Sequence, residues 1–213
     1  MHGPSRKDRR SFLMRAGSAT VALAAPSVFA QQSVAPPLLL MRFHAPSVGA
    51  SDAKVHLVEF LDPACEGCRA FYPVVKEILA EHPSRVRLWI RYLPFHKGAD
   101  LAVKAVEAAR LQGRYWEALD AMFAKQNEWT RNHAAVPQLV VKALEGVPLD
   151  LARLQRDMAS PEIVKILNQD LADAKALKVV QTPTFYVNGR PLQDYGFDQL
   201  RVLVREEVRR QYP

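Results

Sequence analysis

The stretch that decides the fold is residues 61–71, LDPACEGCRAF, which holds both cysteines of the 213-residue chain. It follows the apolar, β-rich run Val55–Leu61, which predicts a buried strand. It also opens an amphipathic segment that predicts a helix from near Cys65 to about Glu81, with Pro73 either kinking it or ending a first short piece. The first N–H groups of a helix lack intrahelical partners and the helix dipole is positive there, so a thiolate at Cys65 is stabilised.

The spacing of the two cysteines favours a redox couple over the other uses of such a pair. Cys68 lies one turn beyond Cys65 and is close enough to attack a disulfide formed on it. Zinc needs about four ligands, and the six histidines include no closely spaced pair, so no metal site is predicted. A structural disulfide would close a very small loop, and a chain that is 49% hydrophobic forms a core without one.

The charge of the chain argues against nucleic-acid binding. The net charge is +7, but much of it comes from the basic start of the chain. The remaining charges of both signs are interspersed, which is not the pattern of a basic nucleic-acid surface.

The N-terminus has the layout of an export signal. Residues 1–30 combine a basic start, the short apolar run Ala16–Ala25 and a small-residue end at Val28-Phe29-Ala30. The apolar run is too short to span a bilayer about 30 Å thick. The segment Asp8–Arg15 resembles a twin-arginine signal, and a Sec signal is the alternative. We therefore expect residues 1–30 to be removed and the protein to work in the periplasm, where thiols can oxidise.

The rest of the chain divides by its hydrophobic pattern. Residues 31–53 form an N-terminal lead-in, with a short strand at Leu38–Phe43. Residues 54–98 and 178–213 predict one α/β domain, into which residues 99–177 insert an all-helical subdomain. The predicted helices of this insertion are Ala99–Gln112, Tyr115–Lys125, Pro137–Leu144, Leu149–Met158 and Pro161–Leu177.

Both ends of the α/β domain carry their own strand signals. Val86–Leu93 predicts a second strand, parallel to the first because a helix connects the two. Thr184–Val187 is followed by Asn188-Gly189, a strong signal for a two-residue hairpin. A last amphipathic helix is predicted over Phe197–Arg210.

Two motifs, VEFLDPACEGCRAF and VQTPTFYVNG, together resemble the DsbA-like thiol–disulfide oxidoreductases. The resemblance covers roughly residues 54–210, and the order of segments between the motifs agrees with it. It implies an α/β architecture, namely a thioredoxin-like fold with an inserted all-helical subdomain.

The resemblance also implies roles for individual residues. Cys65 is the attacking cysteine and Cys68 the resolving one. Pro183 matches a cis-proline that faces the active-site disulfide, and the preceding Gln181 and Thr182 would meet the substrate backbone.

Three further positions carry expectations of their own. Glu59 matches an acid, buried under the cysteines, that moves protons for Cys68; the alternative is a glutamate that faces solvent from a strand edge. Glu66 stands where strongly oxidising members have the first residue of a Pro-His pair, and its charge should raise the pKa of Cys65 and make the couple less oxidising. His96 and Trp116 are expected to pack rather than to do chemistry.

The predicted function is exchange of disulfides with cysteine-containing client proteins by an exported oxidoreductase. No metal or organic cofactor is expected, and a membrane redox partner would reset the pair. The lead-in is too short for a dimerisation domain, so a monomer is expected. The direction of exchange stays open. The alternatives are a thioredoxin-fold periplasmic chaperone or binding module with non-essential cysteines, and a glutathione-linked transferase or isomerase.

Overall fold

A five-stranded sheet organises the part of the chain that the structure, a computed structural model, describes, which is residues 34–213. The predicted export signal, residues 1–30, lies outside the described residues. The strands are β1 Ser47–Gly49, β2 Val55–Leu61, β3 Val86–Tyr92, β6 Thr184–Val187 and β7 Arg190–Pro191, and their order across the sheet is β1-β3-β2-β6-β7. Within residues 34–213, no helix has both the length and the apolar character that a bilayer crossing requires.

The centre of the sheet is the predicted βαβ unit. Strands β2 and β3 are parallel, and helix α2, Glu66–Glu81, connects them. All seven residues of β2 are buried except His56, as expected for a strand covered on both faces. Helix α2 runs unbroken across Pro73, so the alternative of a separate first piece is wrong. The antiparallel hairpin β6–β7 turns at Asn188-Gly189, both with positive φ, as the sequence predicts.

The segment between β3 and β6 is mostly helical, as predicted. Its helical elements are α3 Ala99–Arg110, α4 Tyr115–Ala124, α5 Gln126–Trp129, α6 Pro137–Val140, a 3₁₀ turn Lys142–Leu144, α7 Leu151–Asp157 and α8 Pro161–Ala176. The prediction of helices throughout misses a small hairpin, β4 Thr130–Arg131 with β5 Ala134–Ala135. Strands of two residues are too short to show alternation, which explains the omission. Helix α9, Phe197–Gln211, ends the fold.

The lead-in differs from its prediction. Leu38–Phe43 is not a strand: the short helix α1, Pro37–Leu40, begins with a proline at its first position and buries Leu40. The sheet instead gains β1, which pairs antiparallel with β3. Apolar residues in a short run do not distinguish the two structures.

A buried ion cluster joins the lead-in, the sheet and helix α8. Arg91 on β3 is fully buried and pairs with Asp170 and Asp173, at 2.7 and 2.6 Å. From the lead-in, Arg42 bonds Asp173 at 2.6 Å and His44 bonds Asp170 at 2.8 Å. Because the guanidinium and both carboxylates are removed from water, the cluster is sensitive to loss of any one partner.

Candidate functional site

Cys65 is the N-cap residue of helix α2 and reaches the surface with 8% of its area exposed. Its pKa is lowered to about 6, first by a hydrogen bond from the Cys68 side chain, which outweighs the opposing effect of burial. Further lowering comes from the backbone N–H of Cys68, the Thr182 side chain and the backbone N–H of Gly67. Amide groups at the helix start that lack intrahelical partners therefore add to the stabilisation of the thiolate by the Cys68 thiol.

Cys68 differs from Cys65 in both exposure and acidity. It is fully buried, and its sulfur accepts a long hydrogen bond from the backbone N–H of Asp62 at 3.4 Å. Burial raises its pKa well above the usual value of a thiol. Both cysteines are free thiols in this structure. The pair is therefore asymmetric, with one sulfur reachable and readily ionised and the other enclosed and protonated.

The cis-proline predicted at Pro183 is present and lies against the cysteines. The Thr182–Pro183 bond is cis, and the thiol of Cys65 donates to the carbonyl of Thr182 at 3.3 Å. A Cβ added to Gly67 would lie 3.1 Å from Cδ of Pro183 and 3.4 Å from the Cys65 sulfur. The glycine between the cysteines thus allows the close approach of the proline loop. Gln181 is exposed, and its backbone carbonyl accepts a hydrogen bond from the hydroxyl of Thr184 at 2.8 Å.

Glu59 is buried, as the resemblance implies, and does not face solvent. It lies in the middle of β2, paired between Ile90 on β3 and Phe185 on β6. Neither carboxylate oxygen has a hydrogen-bond partner among the described residues. Burial, and then the nearby charge of Cys65, raises its pKa to about 8. The carboxyl group therefore holds a proton at neutral pH in an apolar environment.

A Glu59→Gln variant is expected to lose less stability between pH 5 and 8 than the parent. The folded protein keeps the Glu59 proton up to about pH 8, whereas the unfolded chain releases it near 4.5. Over that window the unfolded chain has fewer bound protons, so the free energy of unfolding falls as pH rises and levels off above the folded pKa. Each unit of pKa difference is worth about 1.4 kcal/mol. Between pH 5 and 8 the free energy of unfolding should therefore fall by a few kcal/mol more in the parent than in the variant.

The measurement is urea unfolding of parent and variant at several pH values. Glu128→Gln, at an exposed position of α5, is the control and should follow the parent. Parallel stability curves for Glu59→Gln and the parent would contradict the raised pKa.

Asp62, to which the sequence analysis assigned no structural role, organises the loop before the cysteines. Its buried carboxylate accepts hydrogen bonds from the backbone N–H groups of Ala64, Phe95 and His96, all at 2.8–2.9 Å. It also bonds Nδ1 of His96 at 2.7 Å. An Asp that accepts from the residue two positions on is a common turn signal, so this half of its role was visible in the sequence.

Gln126 holds the same loop from the other side and was also missed. The side chain is fully buried on α5, and its amide nitrogen donates to the carbonyls of Pro63 and Cys65 at 2.8 and 3.0 Å. The insertion thereby contributes directly to the position of the nucleophile. No local pattern marks Gln126, because its partners lie about sixty residues earlier in the chain.

Glu66 and His96 each have a polar partner that the sequence did not reveal. Oε2 of Glu66 lies 3.0 Å from Nδ1 of His133, so its charge has a partner that the sequence did not reveal. His96 is half-buried and bonds Asp62 beside the cysteines, which is a structural contact of the kind its prediction allows. Trp116, in contrast, packs against the core as expected and meets Tyr115 edge to face.

Aromatic side chains border the cysteines. The hydroxyl of Tyr195 lies 3.6 Å from the position of a Cβ built on Gly67, and its ring contacts Phe71 at 4.9 Å between centroids. Three large apolar side chains in the loops around the site are exposed, namely Phe95, Val180 and Tyr195.

Comparison with known proteins agrees with the fold and the site. A family model described as Thioredoxin matches residues 44–206. The curated protein named "Probable disulfide bond formation protein D" of Bacillus anthracis is 31% identical over 171 residues, which cover 77% of this chain and 78% of that protein. A solved thioredoxin-like oxidoreductase of Silicibacter pomeroyi has a TM-score of 0.70 at 30% identity, and the match covers 81% of this chain and 95% of that one.

A further relative is much longer than the match. The Na(+)/H(+) antiporter NhaA of Herminiimonas arsenicoxydans is 35% identical over 145 residues, which are 68% of this chain and 22% of the antiporter. The chain therefore spans about a fifth of the length of that relative. It belongs to the thioredoxin family, and its Cys-x-x-Cys helix start and helical insertion place it with the DsbA-like members.

Proposed function

We propose that the protein is an exported thiol–disulfide oxidoreductase that exchanges disulfides with client proteins through Cys65. The observation that carries the proposal is the asymmetry of the pair. Cys65 keeps 8% of its area exposed and has a pKa lowered to about 6, while Cys68 is fully buried and has a strongly raised pKa. An attacking thiolate and a protected resolving thiol are the two functions that exchange requires.

The exchange proceeds through a mixed disulfide. In the reducing direction, the Cys65 thiolate attacks one sulfur of a client disulfide, and the other client sulfur leaves as a thiolate. Cys68 then loses its proton and attacks the Cys65 sulfur, which releases the second client thiolate and leaves a Cys65–Cys68 disulfide. Two electrons pass from the pair to the client, and oxidation of a client is the same sequence reversed.

Glu59 is proposed to exchange a proton with Cys68 during the second step. Its pKa is raised to about 8 by burial, and its charge in turn raises the pKa of Cys68, so the two groups interact. A carboxyl group whose pKa is near the operating pH both gives and takes a proton readily.

Client recognition is proposed to use the loop before Pro183. Gln181 and Thr182 would meet the client backbone, next to the exposed Val180 and Tyr195. The backbone carbonyl of Thr182 already accepts from the Cys65 thiol at 3.3 Å, which places this loop beside the attacking sulfur.

The couple is proposed to be a weaker oxidant than the strongly oxidising DsbA-like proteins. A pKa of about 6 for Cys65 lies above the lower end of the range for such thiols, which is about 3.5. Since a less stabilised thiolate makes the reduced form less favoured, the potential should lie below about −120 mV.

A redox titration of Cys65–Cys68 against glutathione buffers tests the proposed disulfide exchange and the proposed weaker oxidant. The expected result is a reversible two-electron transition at a potential more negative than about −120 mV. A couple that does not cycle would exclude exchange, and a measured Cys65 pKa below about 4 would exclude the weaker oxidant.

The location and partners are proposals of the same kind. Work in the periplasm, export by a twin-arginine or Sec signal, a monomeric state and a membrane partner that resets the pair all follow from the sequence pattern and the chemistry of the site. Fractionation of cells that express the full chain, with and without residues 1–30, would test the location.

A further inference from the structure

Three side chains next to Cys65 converge from three separate elements. Glu66 begins helix α2, His96 lies in the loop after β3, and His133 lies in the turn of the β4–β5 hairpin. A carboxylate oxygen of Glu66 and one ring nitrogen of each histidine lie within 4.8 Å of one another. We propose that these three residues bind a divalent transition-metal ion of the zinc type.

One of the three distances between ligand atoms is already close to the spacing that coordination requires. Two ligand atoms bound to one tetrahedral zinc, each about 2.0–2.1 Å from the metal, are about 3.3 Å apart. Oε2 of Glu66 and Nδ1 of His133 are 3.0 Å apart, so an ion can replace their hydrogen bond with a small adjustment. The rings of His96 and His133 are stacked at 6.1 Å between centroids, and all three ligand atoms lie within 4.8 Å of one another, so the third ligand moves closer to the other two when the ion binds.

A second, independent feature is the carboxylate behind His96. Nδ1 of His96 lies 2.7 Å from the fully buried carboxylate of Asp62, which three backbone N–H groups hold in place. In the tautomer of His96 whose Nδ1–H donates to this carboxylate, Nε2 keeps a lone pair that can bind an ion. Histidines that bind metals commonly donate their second ring N–H to a carboxylate in this way.

The donor set selects the class of ion. Two imidazoles and one carboxylate suit Zn²⁺ and related ions, whereas Mg²⁺ and Ca²⁺ prefer oxygen ligands alone. The exposed side of the cluster leaves a fourth position open to water or to an added ligand. The sequence argument against a metal depended on close spacing of ligands, and these three residues are brought together only by the fold.

Calorimetric titration with zinc chloride near pH 7 tests the site in the full, untagged chain. All proteins carry Cys65→Ser and Cys68→Ser, so that thiolates cannot bind the ion and the result does not depend on disulfide exchange. We expect one Zn²⁺ bound per chain. Glu66→Gln, His96→Gln and His133→Gln should each weaken binding about tenfold or more. Glu128→Gln, the matched control, should bind as the parent does, and magnesium chloride should give no binding.

His133 is exposed at the tip of a turn, so its replacement leaves the core intact, and urea unfolding of each variant verifies this. Two results overturn the proposal. One is no zinc binding by the parent, and the other is unchanged affinity in the Glu66→Gln and His133→Gln proteins.

Discussion

A Cys65→Ser variant is expected to lose disulfide exchange completely, whereas Cys68→Ser should accumulate a mixed disulfide with the client. A serine hydroxyl is not ionised at neutral pH, so the first step has no nucleophile. In Cys68→Ser the first step proceeds, because Cys65 and its amide partners are intact and the serine hydroxyl can donate to the thiolate in place of the Cys68 thiol. The mixed disulfide then persists, because the internal thiol that releases the client is missing.

Reduction of a disulfide-bonded client, quenched with acid and analysed on non-reducing gels, measures both outcomes. The two variants serve as controls for each other, since each removes one sulfur atom from the same site. Turnover by Cys65→Ser at the parent's rate would contradict the assignment. A double Cys65→Ala, Cys68→Ala protein that still assists client folding would instead favour the chaperone alternative. A small-molecule activity that survives loss of Cys68 would favour the alternative of a glutathione-linked transferase or isomerase.

An Arg91→Met variant is expected to lose about 3–5 kcal/mol of unfolding free energy. The guanidinium is fully buried and bonds Asp170 and Asp173, and it also donates to the carbonyls of Leu39 and Leu40. Methionine fills a similar volume but leaves two carboxylates buried with fewer partners. The cost comes from these stranded charges more than from the lost attraction.

Urea unfolding at pH 7 measures the loss. Lys76→Met is the matched control, because Lys76 also pairs with an aspartate, Asp120, at 2.9 Å but on the exposed surface. Its loss should cost less than about 1 kcal/mol. Equal effects of the two substitutions would show that burial does not decide the strength of the Arg91 cluster.

The elements with strong local signals were predictable from the sequence. The βαβ unit follows from an apolar strand, a helix with one apolar face and a second strand, and the Asn188-Gly189 hairpin from its turn residues. The helices of the insertion were predictable because glycine and proline residues separate one helical segment from the next. The two errors concern short segments. A strand was predicted at Leu38–Phe43, where the structure has α1, and the hairpin at Thr130–Ala135 was not predicted. Segments of two to six residues do not show a period that separates helix from strand.

The site was predictable only where its residues are close in sequence. Cys65 and Cys68 were evident from their spacing, and the roles of Pro183 and Glu59 came from the resemblance. Gln126 and His133 were not visible, since their partners at the cysteines are some sixty residues away and arise from packing. The effect of Glu66 on Cys65 was argued from its charge alone, without the histidine that the fold sets beside it.

The bond from Gln126 to the carbonyls of Pro63 and Cys65 bears on how this scaffold can be shortened. Excising residues 99–177 to obtain a minimal redox domain would remove that amide and free two oxygen atoms at the base of the reactive helix. A shortened protein would therefore need another hydrogen-bond donor at this point. Without one, the position and reactivity of the Cys65 sulfur would change even if the sheet folded correctly.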